Sequence, residues 1–287
     1  MLMNRGHLCF CLTLPLFLLL TASCGQKGVA LAFKYPAGFA SQYHLLSDIR
    51  TRTTTGAAST NHRVSIDMVV NYRVQKVLQN NDAEVLFTYD KIRYLNTQNP
   101  EETEHVIEKL RTLQILMTLS PSGEITAAKG YEGLPKMYVN DFNIFTLLFK
   151  ALPVFPRTPI ALGKNWDRQQ EYPIENGLVK GNMMVFKRFA VQDTLSGDAA
   201  RLAKISMEIS MKFDVPQSEA FSLRQDGTER LGMFGKGSIR FDRGEGQVRE
   251  ATALVFGKFI IALKHPVTGQ DINSKIEIAQ NLSVTRL

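Results

Sequence analysis

The sequence predicts a mainly β protein built from antiparallel, curved sheets with one or two short helices. Three observations carry that prediction. Long stretches alternate apolar and polar side chains with period two, the pattern of a strand with one buried face. The alternation is one-sided, which suits antiparallel sheets, because parallel ones are buried on both faces. The stretches are separated by Gly-, Asn- and Pro-rich turn sequences. The 287 residues, 44% apolar and 21% charged, have an ordinary globular balance, which excludes disorder, collagen and a fibrous coiled coil. A multi-span helical transporter is excluded too, because the single long apolar run lies at the extreme N-terminus.

That run reads as a signal peptide over residues 1–23. Arg5 supplies the positive charge, and an apolar stretch from Leu8 to Leu20 is interrupted by Thr13 and Pro15. Small residues then precede Cys24, as a signal peptidase requires. Cys9 and Cys11 leave with the leader, so the mature chain keeps one cysteine. The stretch Leu19-Leu20-Thr21-Ala22-Ser23-Cys24 resembles the lipobox of bacterial lipoproteins. Ala22, Ser23 and Cys24 fit it, and Thr21 stands where that family usually has Leu. The resemblance implies that Cys24 is the lipid-attachment residue, carrying diacylglycerol and palmitate-type acyl chains. Two or more such chains give stable membrane anchoring. Gly25 at the next position implies, by the same resemblance, an outer-membrane destination. Residues 24–40 are then expected as a lipidated linker.

Loss of the leader removes Arg5 and no acid, so the net charge falls from +7 to +6. The basic residues are scattered singly, which argues against nucleic acid as a partner. Mild basicity suits anionic lipid head groups or polysaccharide.

The first β-rich half is expected over residues 41–135. Its opening strand is 41–54. In 64–74, Val64, Ile66, Met68, Val70, Tyr72 and Val74 share a face. Asn80-Asn81-Asp82 is a hairpin turn. In 83–95 the alternation changes phase at Ile92, which predicts a β-bulge. A helix follows, with Asn99 as its cap, Pro100 at its first position and Glu101, Glu102 and Glu104 complementing the dipole. Leu113, Ile115, Met117 and Leu119 alternate, and Ser120-Pro121-Ser122-Gly123 turns the chain. Residues 136–165 hold an apolar helix (136–152) and a Pro-rich connection.

The second half, 166–287, repeats the design. Strands are expected over 178–192, over 203–215 with Ala203, Ile205, Met207, Ile209, Met211, Phe213 and Val215 on one face, over 237–241 and 247–262 around Arg243-Gly244-Glu245-Gly246, and near the C-terminus. The two halves place a strand–turn–strand unit and a Gly-centred hairpin at corresponding points, so they are expected to be half-barrel-like repeats. The segment Phe155-Pro156-Arg157-Thr158-Pro159-Ile160-Ala161-Leu162-Gly163-Lys164-Asn165-Trp166 resembles a "fP…p…vG..W" stretch of an uncharacterised bacterial envelope lipoprotein family with duplicated β-rich halves. That family's function is not established, so the resemblance implies a fold and an address and lends no catalytic residues. Trp166, the sole tryptophan, is expected as a core anchor where a strand begins.

Chemistry-bearing motifs are absent. His44, His62, His105 and His265 lack metal-ligand spacing. There is no nucleophile elbow, P-loop or serine–lysine motif. Asp90 with His105, or Asp242 with Glu245, would act together only if the fold joined them. Met68, Met117, Met183, Met184, Met207 and Met211 fit core filling or a cavity for variable apolar ligands. The expectation is a non-enzymatic, membrane-anchored lipoprotein without cofactor or metal. It binds an apolar or amphipathic ligand, or an envelope protein partner, at the membrane surface. The alternatives are a structural component docking on an outer-membrane complex, an enzyme whose site forms only in three dimensions, and a transmembrane barrel.

Overall fold

A computed structural model describes residues 28–130, 152–176, 179–194, 201–214, 216, 221–225, 232–264 and 268–287. The elements in chain order are β1 (Ala40–Thr55), β2 (Ala58–Val77), β3 (Ala83–Asn96), α1 (Glu102–Thr112), β4 (Gln114–Leu119), β5 (Ile125–Lys129), β6 (Asn165–Asn176), β7 (Val179–Thr194), β8 (Leu202–Asp214), β9 (Phe221–Gln225), β10 (Gly232–Asp242), β11 (Gln247–Lys264) and β12 (Asp271–Arg286). Cys24 and the apolar stretch 136–151 lie outside the described residues.

All strands join one antiparallel sheet in the order β5-β4-β3-β2-β1-β12-β11-β10-β8-β7-β6, with β9 beside β11. The sheets expected as two are therefore one. The first and last strands fuse them, pairing from Tyr43↔Arg286 to Thr55↔Ser274. One hydrophobic cluster runs through both halves, from Val29 and Leu45 to Phe241 and Val284.

The two meanders share two bulges at corresponding places. Gln75 is the extra residue between β2 and β3, and Gln192 is its counterpart between β7 and β8. Thr126 is extra just after the β4–β5 turn, and Arg249 just after the β10–β11 turn. A bulge bends its strand and raises local twist, so both halves bend at the same places. The phase change at Ile92 is a further bulge, with Lys91 at φ 47°. The Asn80–Asp82 turn is as expected, with Asn81 at φ 64°.

Curvature is set by the stretch expected as a linker. From Gly28 on, it is extended, and Val29, Leu31, Phe33 and Tyr35 are buried while Ala30, Ala32 and Lys34 face out. Val29 and Ile160 exchange backbone hydrogen bonds of 2.7 and 2.9 Å. The Phe33 N–H then donates to the Pro121 carbonyl in the β4–β5 turn, and the next N–H, Lys34, donates to the Gly246 carbonyl in the β10–β11 turn. In a flat sheet β4 and β11 would be five spacings, roughly 24 Å, apart. Consecutive residues are about 3.8 Å apart, so the sheet must curl to bring both turns to one segment. Gly246 is held at φ 66°, and a Cβ there would stand 2.5 Å from the Lys34 nitrogen, so only glycine fits this approach.

Between the turns sits an aromatic plug. The Phe33 ring lies 5.3 Å from Phe155 and 5.4 Å from Phe241, and Phe155 lies 4.7 Å from Phe241. Trp166 extends it, stacked on Phe189 at 5.1 Å and donating from Nε1 to the Val154 carbonyl. It is the core anchor expected at the start of a strand.

The helix departs from expectation at its start. Residue Glu101 holds the cap position, without a side-chain cap bond. The Asn99 N–H instead donates to Asn96 Oδ1, as does that of Gln98, so the Asn96 side chain shapes the turn and the helix begins two residues later than its sequence signal. Val106, Ile107 and Leu110 are buried as their spacing requires.

Phe155 is 0% exposed at the centre of the plug. Phe155→Ala is expected to destabilise the chain by about 3–5 kcal/mol, measured as a lower urea midpoint at unchanged slope.

Candidate functional site

The curl gives the sheet a concave, core-facing side and a convex, outward side. Strict alternation assigns each strand residue to one of them. On the concave side the two ends differ. The end carrying the hairpin turns is filled by the plug. The cavity left there, lined by Tyr43, Tyr72, Phe87, Gln247 and Val248 among others, measures about 30 Å³, room for a water molecule and too small for an acyl chain. Burial pushes the phenols of Tyr35, Tyr43 and Tyr72 up, that of Tyr43 to about 12.

Toward the far end the concave face stays apolar but is only half-buried. Ile49 on β1 opposes Val64 on β2. Ile276 and Ile278 on β12 oppose Thr53 and Thr51. Ile261 on β11 and Met211 and Phe213 on β8 continue the surface, all half-buried. The Phe213 ring meets Phe259 edge-on at 5.4 Å. These side chains lie in the same alternation phase as the core, yet retain accessible area.

Polar groups on the same face border this region. Ser47 is 1% exposed, with a buried Oγ that makes no hydrogen bond, and Gln280 on the adjoining strand is 5% exposed. Lys187, on β7 between Val185 and Phe189, is 6% exposed. It lies beside Arg168, whose guanidinium donates to the carbonyls of Val154 and Phe155. The sequence reading passed over Lys187, although a cation in phase with Val185, Phe189 and Val191 is itself a signal of a polar position in the core.

The structure places the other candidate residues as follows. Met68, Met117, Met183 and Met207 are buried core residues, Met211 is half-buried on the concave face, and Met184 lies on the outer face. His44 contacts Asp67 at 2.6 Å on the convex face, and His62 meets Thr97 at 3.1 Å. His265 lies outside the described residues. Asp90 is exposed and accepts the Lys91 N–H, and His105 is exposed on α1. Glu101 and Glu104 are exposed in the first turn of the helix, where carboxylates complement the dipole. Among the described residues, no group of three or more His, Cys, Asp or Glu side chains is placed to hold a metal ion.

Asp242 and Glu245 are brought together, as a latch on the β10–β11 turn. Asp242 accepts the Glu245 N–H at 2.9 Å and pairs with Arg201 and Arg249 at 3.2 and 3.1 Å. Glu245 pairs with Arg249, Arg201 and Arg286. Arg286 belongs to the last strand, so the latch ties the C-terminus to the turn that Lys34 grips. Burial disfavours the Asp242 carboxylate, but the Glu245 N–H and the Arg249 and Arg201 guanidinium groups outweigh it and hold the pKa below the usual carboxylate range.

No family model matches the chain, and no curated protein matches it. Among solved structures it is similar to an outer membrane lipoprotein-sorting protein domain from Vibrio parahaemolyticus (10% identity, 83% of each chain covered, TM-score 0.17). It is also similar to a LolA-superfamily protein from Nitrosomonas europaea (6% identity, 89% of each chain, TM-score 0.16). A third is OccK2 of Pseudomonas aeruginosa (6% identity, 86% of this chain and 97% of that one, TM-score 0.19). At these TM-scores the functional reading rests on this chain's own residues.

The Asp242 latch sets an acid limit. Its depressed folded pKa contributes stability that is complete above the unfolded value of about 3.9 and is lost as pH falls through the folded value. Asp242→Asn is expected to lower stability at pH 7 by about 1–3 kcal/mol and to flatten the loss below pH 4, measured by urea unfolding across pH.

Proposed function

We propose that this chain is an exported, lipid-anchored envelope protein that binds an apolar or amphipathic ligand on the concave face of its sheet and catalyses no reaction. Residues 1–23 act as the leader, and acylated Cys24 holds the protein at the membrane, with the outer membrane as its destination. Three residues separate Cys24 from Gly28, so the anchor lies within about 14 Å of Gly28. The supporting observation is the half-buried apolar surface of Ile49, Val64, Ile276, Ile278, Ile261, Met211 and Phe213, continuous with the core and, among the described residues, not closed over like the plugged end. The described site residues form no nucleophile–base pair and no metal cluster, which favours binding over catalysis.

A second reading, docking on an envelope complex, is favoured by the open sheet. Among the described strands, β5 and β6 end the order, and β6 is an edge of twelve residues to which a partner strand could add. The transmembrane-barrel alternative loses support from the same openness, since lipid-exposed edges do not occur in a bilayer core.

Native mass spectrometry of residues 24–287 carrying Cys24→Ser, purified from a bacterial envelope without detergent, tests the ligand. The expected result is an added mass that organic solvent releases and that Ile278→Asp reduces. A clean apo mass in both proteins moves the function to docking.

A further inference from the structure

The convex side of the sheet carries an apolar row that the proposed ligand site does not use. Phe256 on β11 is 57% exposed and Leu254 on the same strand 55%. Directly opposite Phe256 lies Phe234 on β10, which opposes Ser210 on β8, which opposes Phe186 on β7. Residues directly opposite in an antiparallel pair share a face, so three phenylalanines line up across four strands on the outward side. Exposed apolar patches of this kind mark interaction surfaces.

The flanking charges indicate what the row meets. One pleat to either side stand Lys212, Lys236, Lys258 and Arg188, against Glu208 and Glu277. Lys258 is paired with Glu277 at 3.1 Å, and Arg188 with Asp167 at 2.9 Å. Lys236 and Lys212 have no carboxylate within ion-pair distance among the described residues, and Lys212 Nζ lies 5.0 Å over the Phe186 ring. Lys236 stands opposite Glu208 without an ion pair, and aromatic rings flanked by lysines outside ion pairs match the interface of a bilayer, where rings enter the head-group layer and ammonium groups meet lipid phosphates. A convex ridge can touch a flat surface along its crest, and among the described residues Phe256 and Leu254 are the most exposed large apolar side chains on the sheet.

We propose that the convex face docks on an anionic lipid surface, with Phe256, Leu254 and Phe234 at the contact and Lys212 and Lys236 facing the head groups. This contact is independent of the ligand site and of the acyl anchor.

The test is sedimentation of residues 24–287 carrying Cys24→Ser, which has no anchor, with vesicles of equal parts phosphatidylglycerol and phosphatidylcholine or of phosphatidylcholine alone. Binding is expected to the anionic vesicles, and to weaken as salt screens the lysines. Phe256→Ser with Leu254→Ser is expected to lower the partition coefficient about tenfold or more, because burying either side chain contributes more than one tenfold step. Lys212→Gln with Lys236→Gln should lower it for anionic vesicles while leaving the thermal midpoint unchanged. Failure of the parent protein to sediment with anionic vesicles overturns the proposal, as does undiminished binding by both variants. A parent dimer in analytical ultracentrifugation that the serine variant abolishes would assign the face to a second copy of the chain, also overturning it. Native mass spectrometry of the same preparations shows separately whether the concave ligand is present.

Discussion

The architecture depends on two adjacent backbone N–H groups. Phe33 and Lys34 reach carbonyls in turns that belong to opposite halves of one sheet, and no flat sheet could present both to neighbouring residues. That constraint fixes the curl. From the curl follow a concave side that can enclose apolar groups and a convex side that presents a crest. The Phe33 ring fills the space between the turns, with Phe155 and Phe241 against it, so the backbone grip and the apolar contact reinforce one another at one point.

The rest of the molecule is arranged around that point. The Arg201–Asp242–Arg249–Glu245–Arg286 latch stiffens the turn that Lys34 grips, and Lys34 Nζ also donates to the Gly244 carbonyl at 2.8 Å. The matched bulges bend each meander at corresponding places. Among the described residues, packing is therefore tight at the turn end and loosens along the strands toward the far end, where the apolar face is half-buried.

Much of this was legible in the residues and much was not. Alternation identified the long strands, because a one-faced strand repeats its pattern over many residues. Asn80–Asp82, the bulge at Ile92 and the anchoring role of Trp166 were local signals of the same kind. Pairing between Tyr43 and Arg286 was not legible, since nothing in either strand names a partner more than two hundred residues away, and so one sheet looked like two. The helix start was misplaced because Asn99 has the chemistry of a cap, yet its N–H is drawn to Asn96. The alternation of Val29, Leu31, Phe33 and Tyr35 was present but short and followed a leader, so it read as a linker. β9 is five residues long and carried no pattern of its own. On the concave face, Lys187 and Gln280 broke the apolar phase and could have been noticed. Ser47 could not, since its unsatisfied hydroxyl appears only once its neighbours are placed.

The central claim is that Phe33 holds the two turns together. The direct measurement is the distance between spin labels at Glu124→Cys and Glu250→Cys in the Cys24→Ser background, with and without Phe33→Ala. The account predicts a narrow distribution centred below the roughly 24 Å of an uncurled sheet, and a broadened, longer one once Phe33 is removed. A parent distance at or beyond the flat-sheet value, or a distribution that Phe33→Ala leaves unchanged, would contradict it.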